Sequence, residues 1–279
     1  MGNVHIVTDS TADLSWDEID RYNLHVVPLT IQAGGELYQD RVDLEPETFL
    51  EIMAKSDELP KSSQPAPGVL SDLYSRLGKE GDQIVSIHMT GGMSGTADAA
   101  RQAAAMTEAD VTVIDSRFIS RALAFQVLEA AGLSAEGATA SEIASRLAEV
   151  RKATSLFVVV DTLENLVKGG RIGKGRALLG SFLKIKPIAS LEGGEYTPVH
   201  KARSHRQAVS YLFDRFKEET AGKTVKGIGI VHAGGQAMAE PLERMLADAG
   251  FPGAGKGYTS PVIATHTGPG AIGFMYFAE

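Results

Sequence analysis

"DQIVSIHMTGGMSGTADAARQAAAMTEADVTVIDS", residues 82–116, decides the fold. "DQIVSIHMT" and "VTVIDS" are short β-rich runs, and "GTADAARQAAAMT" between them has helical spacing. A strand, a helix and a strand in this order form a βαβ unit, whose two strands lie parallel. The alternation extends outward from this unit. "VHIVTD" (4–9) reads as a buried strand and "SWDEIDRY" (15–22) as a helix capped by Ser15. "LHVVPLTIQAGGELYQD" (24–40) reads as a strand, then a Gly-Gly turn with a hairpin partner. "EPETFLEIMAKS" and "PGVLSDLYSRLGKEG" are helical, the second opened by Pro67, and two further helices are expected around 117–131 and 139–153. The pattern predicts an α/β fold with a parallel sheet covered on both faces.

The rhythm changes after residue 150. "SLFVVVD" is a strand, and "TLENLVKGG" and "GRALLGSFL" read as helical. "KPIASLEGGEYTPVHKAR" is a hairpin pattern around Glu-Gly-Gly-Glu, followed by a helix near 204–220 and the strand "VKGIGIVHA". The helix "MAEPLERMLADAG" comes next, then a closing pair of strands, "GYTSPVIATH" and "AIGFMYFA". His266 is thereby expected at a strand end, ahead of a Gly268-Pro269-Gly270 turn. The expected organisation is two domains. Residues 1–155 form an N-terminal parallel-sheet α/β domain and 156–279 a C-terminal α/β domain with a mixed sheet.

Composition narrows the function. The 279 residues are 43 % hydrophobic and 22 % charged, with a net charge of -8. An acidic chain of this kind does not favour nucleic acid or an anionic membrane. The absence of cysteine excludes thiol catalysis, disulfides and cysteine metal sites, and fits a reducing cytoplasm. No leader pattern and no long apolar run is visible, so stable membrane insertion is not expected. The seven histidines show no metal-ligand spacing, and no metal or cofactor is expected.

Several loops carry chemistry. "TDSTADL" (8–14) follows a strand, and ligands of α/β sheets collect at the carboxyl ends of strands; Asp9 and Ser10 stand there. The same residue types also serve as turn and helix caps. "KSSQPAPG" (61–68) offers the hydroxyls of Ser62 and Ser63 in a proline-stiffened loop. "MTGGMSGT" (89–96) joins a strand to a helix, and its glycines and helix N-terminus suit an anion. Gly92-Met93-Ser94-Gly95-Thr96 lacks the final glycine of a nucleophile elbow. "KGGRIGKG" (168–175) is one residue short of a phosphate-binding P-loop and lacks its Ser or Thr. "HKARSHRQ" (200–207) is a local basic cluster.

With "TDST", "SSQPAPG", "GGMSGT", "GGRIG", "KAR" and "THTGPGAIG" in this order, the sequence resembles the DegV family over essentially its whole length. The resemblance implies a two-domain α/β protein that binds one long-chain fatty acid, palmitate or similar. It also implies a bacterial lipid-binding subunit of fatty-acid kinase, without catalytic activity alone. That subunit presents its acid to an ATP-binding kinase partner for lipid transport into phospholipid metabolism. Carried over by motif, Ser62, Ser94, Gly95 and His266 bind the carboxylate between the domains, with Asp9, Ser10, Ser63, Thr96 and Thr267 as head-group neighbours. Arg171 and Arg203 serve the phosphoryl group or contact the kinase. The acyl tunnel is expected in the second domain, lined by "LLGSFL" (178–183) and its neighbours. Ser62 stands where the family usually has threonine, and Thr90-Gly91 where it usually has two serines. The alternatives are a serine hydrolase using Ser94 and His266 with Asp9, and a lipid sensor without a kinase partner.

Overall fold

Local signals in the chain set most of the element boundaries. The computed structural model describes residues 2–56, 58–79, 81–178 and 185–279. Chain order begins with β1 (Val4–Asp9), α1 (Trp16–Arg21), β2 (His25–Val27), β3 (Thr30–Ala33), β4 (Glu36–Gln39), α2 (Pro46–Lys55) and β5 (Lys61–Ser63). It continues through α3 (Pro67–Leu77), β6 (Gln83–His88), α4 (Thr96–Ala104), β7 (Asp110–Asp115), α5 (Ser120–Ala135), α6 (Ala140–Lys152), β8 (Thr154–Val159) and α7 (Glu164–Lys168). Next are β9 (Lys186–Ser190), β10 (Thr197–Ala202), α8 (His205–Thr220), β11 (Val225–Ala233), α9 (Gln236–Asp248), β12 (Gly255–Tyr258), α10 (Pro261–Thr267) and β13 (Ala271–Ala278). Ser15 opens α1 with a capping box: its hydroxyl accepts from Glu18 N–H, and the Glu18 carboxylate accepts from Ser15 N–H. Pro67 occupies the first turn of α3, where a missing N–H costs nothing.

Two compact units result, Met1–Thr30 with Ser63–Lys152, and Ile31–Ser62 with Ala153–Glu279. In the first, an all-parallel sheet runs β2-β1-β6-β7. Val7 and Ile84 on this sheet pack against Leu70 and Tyr74 of α3 and the alanines 99, 100 and 103 of α4. The small side chains on that face of α4 let the two helices lie close.

The second unit holds a mixed sheet in the order β10-β9-β8-β13-β11-β12, with β11 and β12 parallel and the other pairs antiparallel. One face, with Val159, Ile188, Ile272 and Phe274, packs on Leu212 and Phe216 of α8 and Leu242 of α9. A small sheet, β4-β3-β5, turns through Gly34 and Gly35, both at positive φ.

Four expectations need correction. Residues 31–62 were expected in the first domain, yet they cluster with the second. One contact that joins them to it is made by a buried carboxylate: Asp40 accepts the N–H of Val262 in the first turn of α10. "KSSQPAPG" is not all loop, because Lys61–Ser63 forms β5. "GYTSPVIATH" is not one strand. β12 ends at Tyr258, Ser260 accepts from Ile263 N–H as a cap, and Pro261 starts α10. The β-branched run misleads because Thr265 and Thr267 donate their hydroxyls back to Pro261 O and Ile263 O, which suits them to a helix. "GRALLGSFL" is helical only as a tight 3-10 stretch, Gly173–Leu178. The rest of the expected tunnel motif, 179–183, lies outside the described residues.

Candidate functional site

His266 stands in the last turn of α10, and its position follows from the residues around it. Gly268 leaves the helix at φ 76 and its N–H closes on Ala264 O. Gly270, at φ 82, donates to Ala233 O. Both positions require glycine. A Cβ at Gly268 would come within 2.8 Å of Asn165 Oδ1, and one at Gly270 within 2.7 Å of Asp161 Oδ2. The stretch 161–165 therefore clasps the turn at both ends, and Asn165 also donates its amide to Thr265 O.

The imidazole itself lies on Gly169, where any Cβ would overlap Nδ1. Its Nε2 is 2.8 Å from Ser62 Oγ. Burial, reinforced by the nearby Arg171 guanidinium, pushes the imidazole pKa down to about 4, so the ring is neutral at pH 7. Nδ1 is buried without a hydrogen-bond partner. A proton on Nδ1 would be an unmatched buried donor in the field of Arg171; a lone pair there is the cheaper choice. The ring proton therefore belongs on Nε2, which donates to Ser62 Oγ. The Ser62 hydroxyl is left with its own proton to give to an acceptor. The site is thus a neutral hydrogen-bond donor beside one cation, a combination that suits a carboxylate.

Strand alternation separates the two serines of β5: Ser62 is half-buried and Ser63 is exposed. Thr267 is committed to Ile263 O. Arg171 is half-buried and donates Nη1 to Gly169 O at 2.6 Å, while Arg203 is exposed.

In the first unit, Ser94 Oγ lies 2.8 Å from Thr96 Oγ1 and accepts from Thr96 N–H. A Cβ at Gly95 would overlap the Gln64 amide, so the "SSQP" and "GGMSGT" loops pack directly on each other there. Ser10 Oγ accepts from Leu29 N–H. Asp9 is fully buried and accepts from Thr11 N and Oγ1 on one oxygen and from Met89 N–H and His88 Nδ1 on the other. His88 Nε2 meets Ser86 Oγ at 2.8 Å, and Ser86 Oγ meets Tyr74 OH at 2.7 Å.

This Asp-His-Ser row has the connectivity of a hydrolase triad. All three side chains are wholly buried and the serine is covered by Tyr74, so no substrate reaches it. The hydrolase alternative named other residues, and each has a partner of its own within its unit: Ser94 pairs with Thr96, His266 with Ser62, and Asp9 with His88. Sequence reading missed Gly169, Asn165, Asp161 and Gln64 as parts of these sites. The glycines were the available signal, since each marks a close approach. Among the described residues, no group of three metal-ligating side chains forms a site, and no helix is long and apolar enough to cross a membrane.

A family model described as "Uncharacterised protein, DegV family" matches residues 3–279. A DegV domain-containing protein of Listeria monocytogenes is 40 % identical over 281 residues, covering 100 % of both chains. Among solved structures, the fatty-acid-binding DegV family protein from Thermus thermophilus is 30 % identical and superposes with a TM-score of 0.93, over 99 % of this chain and 100 % of that one. DegV, a fatty acid binding protein from Bacillus subtilis, is 33 % identical with a TM-score of 0.91 over the same shares.

The neutral imidazole makes stability depend on pH. From pH 6.5, the ordinary value, down to about 4, the unfolded histidine takes up a proton that the folded one refuses. Stability should therefore fall as pH falls through this window, by about 2–3 kcal/mol from this group. Urea denaturation of ligand-free wild type and His266→Gln checks it: wild type should lose more stability than the variant between pH 7 and 4.5.

Gly169→Ala tests the seat of the ring. The backbone at 169, φ -77, suits alanine, and the nearest atom to its Cβ would be His266 Nδ1, ahead of Asn165 O at 3.0 Å, so the overlap with the imidazole dominates. By proton NMR the His266 pKa should rise by roughly a unit or more as the ring is displaced toward water. An unmoved titration would mean the ring does not rest there.

Proposed function

Because the chain belongs to the DegV family, we propose that it binds a long-chain fatty acid whose carboxylate is held by Ser62 and His266. The observation that carries this reading is the hydrogen bond of 2.8 Å between a neutral, buried imidazole and the Ser62 hydroxyl, with Arg171 as the adjacent cation. It is supported by the likeness to fatty-acid-binding proteins of the same family. Ser94 and Gly95 enter as further carboxylate ligands on the strength of their motif.

The tail needs an apolar path. We place it along the sheet face away from α8 and α9, where the cross-strand row Ala189, Val158, Gly273 and Val231 is apolar. Gly273 keeps this row shallow, since a Cβ there would come within 3.0 Å of Val231 Cγ2. Each buried methylene contributes about 0.8 kcal/mol. About a dozen would give on the order of 10 kcal/mol before the entropy of association is deducted.

The finer reading is that the protein works in the cytoplasm without catalysis of its own and presents its acid to an ATP-binding kinase subunit for acyl phosphate formation. A carboxylate needs little beyond hydroxyl and amide donors, whereas a phosphoryl group in transfer carries charge that guanidinium groups stabilise. The exposed Arg203 fits that second role.

Purified protein should carry a fatty acid by native mass spectrometry, and delipidated protein should take up palmitate. Ser62→Ala and His266→Ala should each weaken palmitate binding by about 1–3 kcal/mol, roughly 5- to 150-fold, because each leaves a buried carboxylate short of a donor. Lipid-free protein that ignores palmitate and oleate would end this reading. Unchanged affinity in both variants would move the carboxylate elsewhere.

Arg203→Ala separates binding from transfer. Palmitate retention should stay at the wild-type level, while acyl phosphate trapped with hydroxylamine, in the presence of ATP and the kinase subunit, should drop at least about tenfold. Loss of lipid with normal transfer per bound lipid would reverse that assignment.

A further inference from the structure

Asp161 carries no role in carboxylate binding, yet three chain segments meet at its carboxylate. It lies two residues beyond β8, about one-third exposed. One oxygen, Oδ1, takes Lys186 Nζ and His205 Nε2, each at 2.9 Å. Lys186 is the first residue of β9 and His205 the first of α8. The other oxygen, Oδ2, abuts Gly270 so closely that a Cβ there would stand 2.7 Å away. Burial acts to raise the Asp161 pKa, but the bonds from Lys186 and His205 outweigh it and hold the carboxyl below its usual range.

A surface ion pair is usually worth little, because two flexible side chains must be ordered to make it. Asp161 differs in what its partners anchor. Gly270 ends the turn that follows His266, and its N–H is already tied to Ala233 O at the end of β11. His205 begins α8 two residues after Arg203, at a corner where Ser204 caps the helix and Gln207 Oε1 accepts Arg203 N–H. Asn165 secures the start of the histidine turn from the same short stretch. Movement of Asp161 would break the tie to the first residue of α8 and remove the packing against Gly270 at the far end of that turn.

We propose that Asp161 is a positioning residue of the head-group site: its carboxylate locks the His266 turn to the Arg203 corner without touching the acid. The proposal rests on the fatty-acid reading above and adds to it a residue that sets where the donors stand. His205 is the link to α8, and what it must supply is a donor at the Nε2 position. Glutamine can supply one there and leucine cannot.

The experiment uses full-length protein loaded with [1-13C]palmitate. The carboxyl 13C resonance reports the hydrogen bonding of the head group, and palmitate affinity and thermal stability are measured on the same samples. Asp161→Ala and His205→Leu should both shift or broaden the bound carboxyl resonance and weaken palmitate roughly fivefold or more. His205→Gln should restore the wild-type resonance and affinity. If Asp161→Ala and His205→Leu lower only the melting temperature, leaving resonance and affinity as in wild type, Asp161 is merely structural and the proposal is overturned. Failure of His205→Gln to restore what His205→Leu loses overturns the link through His205. If the wild type itself shows no bound resonance, the fatty-acid reading falls and this assignment falls with it.

Discussion

The candidate site of the second unit is built around an imidazole that burial and a neighbouring guanidinium keep uncharged. His266 rests on a glycine, faces a guanidinium and bonds to a serine. Each neighbour constrains the next. Gly169 must lack a side chain for the ring to descend, and the ring must descend to reach Ser62. The Gly-Pro-Gly turn must leave α10 sharply so that the histidine stays in the helix's last turn. The glycines of "KGGR" and "THTGPG" are then two halves of one fitting, although about a hundred residues separate them. Because the ring is neutral, Arg171 supplies the nearby positive charge.

The first unit solves a different problem with similar means. A carboxylate buried at the end of β1 would be very costly without donors. Asp9 finds four: two from Thr11, one from the Met89 amide and one from His88. His88 is in turn completed by Ser86, and Ser86 by Tyr74. The contacts of His88, Ser86 and Tyr74 form one continuous row of hydrogen bonds that ends on Asp9, an arrangement in which each bond strengthens the next. The Met89 amide is where the strand gives way to the loop bearing Ser94. The buried row therefore fixes the start of that loop, and the stacking of Gln64 on Gly95 fixes its end.

The hydrolase-like connectivity of Asp9, His88 and Ser86 shows why residue types alone do not establish chemistry. The bonds are those of a triad, but total burial turns them into a structural brace. Exposure separates the two outcomes, and exposure is a property of packing. The two serines of β5 make the same point on a smaller scale, since alternation along three residues turns Ser62 inward and Ser63 to solvent.

Sequence by itself determined what depends on near neighbours. Alternating strands and helices specified the parallel sheet of the first unit, and the Gly-Gly turns specified the hairpins. Ser15 and Pro67 set helix starts, and the motif order specified the family. These follow from backbone preferences and spacing over a few residues. Tertiary structure decided the rest. It drew residues 31–62 into the second unit, where Asp40 bonds to the first turn of α10 across some two hundred residues. It set Asp161 between Lys186, His205 and Gly270, four positions that no spacing rule connects. The physical reason is common to both: a polar group drawn out of water must find its partner wherever the fold brings one, however far apart the two lie along the chain.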